Sequence, residues 1–98
     1  MKIKGKVLSV NKEVSNDNEV TKVEFENSVG KKVEYLIFFD TINKVGSIIR
    51  NGIDYAGLNF DNKNRLIDYD MVFELTKYAI IAIRKAGLTV PREFENNY

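Results

Sequence analysis

The chain contains no histidine, no cysteine and no tryptophan, and a single proline, Pro91. Without histidine there is no side chain whose ordinary pKa lies near neutrality, so the usual proton shuttle is missing. Without cysteine there is no thiolate nucleophile, no disulfide, and no thiolate to join an imidazole around zinc. Long hydrophobic runs are missing too: the longest apolar stretches are Leu36 to Phe39 and Tyr78 to Ile83. The opening Met1-Lys2-Ile3-Lys4-Gly5 carries no run of signal-peptide length and nothing later approaches a membrane span, so a cytoplasmic protein is expected. Chemistry would have to be built from carboxylates, lysines, tyrosines and hydroxyls. None of these stands in a catalytic spacing, so the expectation is a protein that is not an enzyme and uses no cofactor.

What is present describes a globular domain. Ninety-eight residues with 44% hydrophobic content are enough for one domain and its core. Six Phe and five Tyr supply much of the core volume. Fifteen basic residues against fourteen acidic ones leave a net charge of +1, so no global field selects nucleic acid or a membrane surface. The wealth of Asn and Lys and the scarcity of Ala carry the codon signature of an AT-rich genome, such as that of a low-GC bacterium or its phage.

The first three-quarters reads as strands. Ile3 and Val7 alternate with Lys2, Lys4 and Lys6, and the apolar phase slips at Leu8-Ser9-Val10, which predicts a bulge. Ser15-Asn16-Asp17-Asn18 is a polar turn, followed by a strand from Glu19 to Glu26 with Thr21, Val23 and Phe25 on one face. After a turn at Gly30, Lys32 to Asp40 is the most apolar strand. Val33, Tyr35, Ile37 and Phe39 line one face of it, and Leu36 and Phe38 the other. A strand apolar on both faces is expected to be covered on both, by a helix or by closure of the sheet. Asn51-Gly52 predicts a two-residue hairpin with both residues at positive φ. Asp61-Asn62-Lys63-Asn64 joins Tyr55–Phe60 to Arg65–Tyr69, and Met71 to Leu75 reads as one more short strand.

The period then changes to that of a helix. Thr76 is the expected N-cap, Lys77 to Ala86 the helix and Gly87 its C′ residue. Tyr78, Ala79, Ala82, Ile83 and Ala86 share one face with Ile80 at its edge, while Lys77, Arg84 and Lys85 form the opposite face. Ile81 falls among those charges. The expected fold is α+β: a small antiparallel, strongly bent sheet or partly open barrel of about five to six strands, with one C-terminal helix packed on it. Residues 1–91 form this single domain, and 92–98 a polar tail expected to be frayed, although Phe94 and Tyr98 can dock. Lys4-Gly5-Lys6-Val7-Leu8-Ser9-Val10 and Val45-Gly46-Ser47-Ile48-Ile49 resemble strands of OB-type or SH3-like barrels, a style shared by many unrelated domains.

Each candidate constellation has a competing structural explanation. Asp68 and Asp70, two apart in an extended segment, point to one face with Asp61 and Glu74 in reach. They could hold Mg²⁺ or act as an acid–base pair, but the set is incomplete and fits a solvated hairpin, so no metal is expected. Lys2, Lys4 and Lys6 form a stripe, with Lys31 and Lys32 in a nearby turn. Such lysines track phosphates in single-strand binders, yet lysines along an edge strand also block aggregation. The scattered glycines lack a phosphate-loop context. Ile81 among the helix charges, with Tyr55 and Tyr69 reaching the surface, matches the composition of a protein interface.

These readings converge on a macromolecular interaction module with a protein partner. One form is a phage or mobile-element inhibitor or accessory factor that occupies a host protein's surface. The interface residues expected are Ile81, Arg84 and Lys85, with Tyr55 and Tyr69 as secondary contacts and the helix face around Ile81 as a route to a homo-oligomer. The alternatives are an OB-like or SH3-like single-stranded nucleic-acid binder using Lys2, Lys4, Lys6, Lys31 and Lys32, and a sponge for a small ligand.

Overall fold

A computed structural model describes residues 5–71 and 75–95. These residues include six strands: β1 (Lys6–Ser15), β2 (Asn18–Glu26), β3 (Lys32–Asp40), β4 (Val45–Arg50), β5 (Ile53–Phe60) and β6 (Leu66–Met71). They pair antiparallel in sequence order, β1-β2-β3-β4-β5-β6. A helix α1 (Lys77–Lys85) and a 3₁₀ turn (Arg92–Glu95) follow. The fold is therefore α+β, as the strand and helix periods require, with an open sheet that does not close into a barrel. Its unbroken meander also departs from the Greek-key strand order of an OB barrel.

The turns explain why a meander forms. Asn16 and Asp17, at φ 51° and 64°, make a two-residue hairpin between β1 and β2. Asn51 and Gly52, at φ 49° and 81°, do the same between β4 and β5. Left-handed backbone at both loop residues matches the twist of the flanking strands, and Asn, Asp and Gly tolerate it. The three longer turns share another device. Asn27, Asp40 and Asp61 each accept two backbone N–H bonds onto one side-chain oxygen, from Val29 and Lys31, from Ile42 and Asn43, and from Lys63 and Arg65. This side-chain mimicry of a turn fixes where each strand reverses. The phase slip read at Leu8 is a register shift between Val7 and Ser9, and two further shifts interrupt β4–β5 and β5–β6. Bulges of this kind increase the local twist.

One face of the sheet carries the core. Val23 and Phe25 of β2 and Tyr35, Ile37 and Phe39 of β3 are buried beneath Ala79, Ile80, Ala82 and Ile83 of α1, and Ile48 of β4 and Leu58 of β5 belong to the same core. Phe25 meets Tyr35 and Tyr78 edge-on, with ring centroids 5.6 and 5.1 Å apart. Thr76 caps the helix, its hydroxyl accepting the Ala79 N–H at 3.1 Å. Gly87, at φ 89°, turns the chain after Ala86. The chain then returns beside the sheet: Leu66 N–H donates to the Thr89 carbonyl at 2.8 Å, and Leu88 and Val90 are buried.

Several expectations change. Met71 ends β6 and Leu75 is not in a strand, while 72–74 lie outside the described residues. The first part of the tail is ordered, because Phe94 packs against Tyr69 at a centroid distance of 5.5 Å and Glu95 pairs with Arg84. Tyr98 lies outside the described residues. Most consequential is β3. Among the described residues, the helix covers its Tyr35–Ile37–Phe39 face, and no element covers the face of Leu36 and Phe38. An open sheet leaves its second face to solvent even where the strand is apolar on both sides.

Candidate functional site

The uncovered sheet face is where sequence and structure diverge most. Register and pleat place its residues in transverse rows, since cross-strand partners share a face. One row runs Glu13, Val20, Phe38, Ser47, Gly57 and Asp70 across all six strands. Its neighbour runs Asn11, Lys22, Leu36, Ile49 and Asp54. Val20, Leu36, Phe38 and Ile49 are half-buried by their neighbours and together make an apolar strip on the central strands. Toward β5 and β6 the side chains shrink to Ser47 and Gly57, and the strip ends in the exposed carboxylates of Asp54 and Asp70.

Two grooves open on this face. One, of about 420 Å³, is lined by Asn11, Glu13, Val20, Lys22 and Leu36, with Lys12 at its side. The other, of about 260 Å³, lies over Gly57 between Asp54 and Asp70. A methyl group at Gly57 would meet no atom within 4 Å, so the space above this residue is open. Lys22 bridges Glu24 at 3.5 Å and Glu34 at 3.3 Å, and the Glu34 carboxylate above all holds its ammonium pKa above the ordinary lysine value.

The residues expected from sequence are distributed differently. Ile81 is half-buried and packs against the core, so it does not stand free among the helix charges. It lines a groove of about 220 Å³ with Lys77, Ile80, Arg84 and Glu95. Arg84 is engaged within the chain, donating to the Val90 carbonyl at 3.1 Å and pairing with Glu95. Lys85 is exposed. Tyr55 does not reach the surface: it is 5% exposed, with the Arg50 guanidinium 4.5 Å from its ring centre. Burial pushes its phenol pKa up, against the opposing pull of Arg50. A bulge beside Ile48 and Ile49 turns Tyr55 inward, which strand alternation could not reveal. Tyr69 lies on the core side opposite Leu58, half-buried against Phe94.

Lys6, Lys31 and Lys32 do come together at one corner. Lys6 and Lys32 both stand in register with Glu26, on either side of it, and Lys31 is in the adjoining turn. Lys2 and Lys4 lie outside the described residues, as does Glu74. Asp68 and Asp70 share a face as their spacing requires, with Asp68 opposite Asn59 and Asp70 opposite Gly57. Asp61 is bound into its own turn and to the Arg65 guanidinium at 2.9 Å. Among the described residues, no three acidic groups are placed to hold a metal ion together. No described helix is long and apolar enough to cross a membrane.

The apolar strip was partly legible, because Leu36 and Phe38 stood out on the second face of their strand. Joining them to Val20 and Ile49 required the strand order. Searches among family models, curated proteins and solved structures found no match to this chain.

Proposed function

We propose that this protein is an interaction module that binds another protein through the uncovered face of its sheet. The observation that supports this reading is the apolar strip of Val20, Leu36, Phe38 and Ile49, exposed in part and rimmed by charge. Partly exposed apolar residues on adjacent central strands, bordered by polar groups, have the make-up of an interface core and its rim. Phe38 is the natural anchor, because aromatic groups dominate interface energetics. The inhibitor or accessory-factor reading takes the same form: the module works by occupying its partner's surface.

The helix face supports the role less well, since Ile81 is committed to the core and Arg84 to Glu95 and Val90. A tagged pull-down from lysate, with and without nuclease, tests the proposal. We expect a protein partner that survives nuclease and is lost in Phe38→Thr/Ile49→Thr, two changes that keep strand propensity. A partner retained by that variant and lost in Lys85→Glu would overturn it in favour of the helix face. Recovery of nucleic acid would overturn it in favour of the lysine corner.

A further inference from the structure

The charge on the open face does not follow the charge of the chain. By register and pleat this face presents Glu13, Glu24, Glu26, Glu34 and Asp40 on β1–β3, and Asp54, Asp68 and Asp70 on β5–β6. Against these eight carboxylates stand, among the described residues, three ammonium groups, Lys6, Lys22 and Lys32. The described residues of this face therefore carry a formal −5 on a chain whose total is +1. The cations are confined to β1–β3, where Lys22 is bound to Glu24 and Glu34 and where Lys6 and Lys32 flank Glu26. On the β5–β6 side, no cation among the described residues lies within ion-pairing distance of Asp54, Asp68 or Asp70.

We propose that the surface docking on this face is a basic protein segment whose Lys or Arg side chains lie along Phe38 and Ile49 and place their charged ends at Asp54 and Asp70. This rests on the open-face reading above and adds the chemistry of the partner. Long basic side chains suit the layout, because their apolar stems cover hydrophobic surface while the charged head reaches a polar rim. The strip runs from Phe38 past Ser47 to Gly57, so no bulky group blocks a stem on its way to the carboxylates. A basic surface is steered toward a field of this sign, whereas an acidic surface or a phosphate backbone has to approach against it.

Amide chemical-shift mapping on the full chain tests this with two short peptides, one alternating Lys and Leu and one alternating Glu and Leu. With the basic probe we expect shifts at Ser47, Asp54, Gly57 and Asp70 that shrink at high salt. Binding should weaken about threefold to tenfold in Asp54→Asn/Asp70→Asn, the effect of removing two exposed charge pairs. An acidic probe that moves the same amides equally would overturn the charge assignment and leave the open-face reading standing. A basic probe that moves only α1 or the outer edge of β1 would overturn both. No shift with either probe would overturn the basic-partner assignment, and the pull-down with Phe38→Thr/Ile49→Thr would then judge the open face by itself.

Discussion

Two glycines on neighbouring strands should respond to the same substitution with opposite sign. Gly46 of β4 points to the core side between Phe39 and Leu58, and Gly57 of β5 points to the open face opposite Ser47. A Cβ on Gly46 would stand 2.6 Å from the Phe38 carbonyl oxygen and 3.2 Å from the Phe60 ring. The first contact is to backbone, so β3 and β4 would have to separate locally. Overpacking of that kind costs about 1–3 kcal/mol. A Cβ on Gly57 would meet nothing within 4 Å, and its φ lies outside the left-handed region. There alanine restricts the unfolded chain without straining the folded one, for a gain of about 0.4–1 kcal/mol. For a domain of this size, each kcal/mol moves the melting temperature by about 4–8 °C. Thermal unfolding followed by circular dichroism should thus show Gly46→Ala melting below the wild type and Gly57→Ala at or above it. A Gly57→Ala variant as damaged as Gly46→Ala would mean that the groove over Gly57 is filled, and the open-face reading would lose its basis. A neutral Gly46→Ala would refute the close approach of β3 to β4.

Further outcomes follow from the helix and the turns. Ile80→Ala, at a site 1% exposed, should cost about 2–5 kcal/mol in urea unfolding, and Ile81→Ala clearly less because its side chain is only half-buried. Equal losses would show that both flanks of α1 are core. Thr76→Ala should cost about 1 kcal/mol through loss of the cap to Ala79, and Thr76→Ser should recover most of it. The Arg65 backbone N–H, helped by its guanidinium and by Lys63 N–H, holds the Asp61 carboxyl below the ordinary carboxylate pKa. A pKa lowered by folding means stability that is present above the unfolded value and lost as pH falls through the folded one. The melting temperatures of wild type and Asp61→Asn should therefore differ at neutral pH and converge in acid; a gap that persists in acid would show that charge is not its source.

Much of the local structure was legible because it depends on neighbours along the chain. Asn51-Gly52 specifies its hairpin because both residues tolerate positive φ, and Thr76 specifies the helix start because its hydroxyl can accept an otherwise orphaned N–H. The alternation of Thr21, Val23 and Phe25 identified a buried face for the same reason: the period of a strand is a local property. Tyr55 was misplaced because a bulge adds a residue and reverses the alternation, and the bulge arises only when β4 and β5 pair. Ile81 was misplaced because a helical wheel has no knowledge of what packs beside it.

Local pattern along the chain establishes the α+β class, most of the strand reversals and the inward faces of β2 and α1. That the sheet stays open emerges with strand assembly, because closure depends on whether β1 and β6 meet, and no local pattern encodes that distance. The same pairing drew Val20, Leu36, Phe38 and Ile49 into one strip and gathered carboxylates from five strands onto one face. A net charge near zero conceals this, since composition sums charges while a surface separates them.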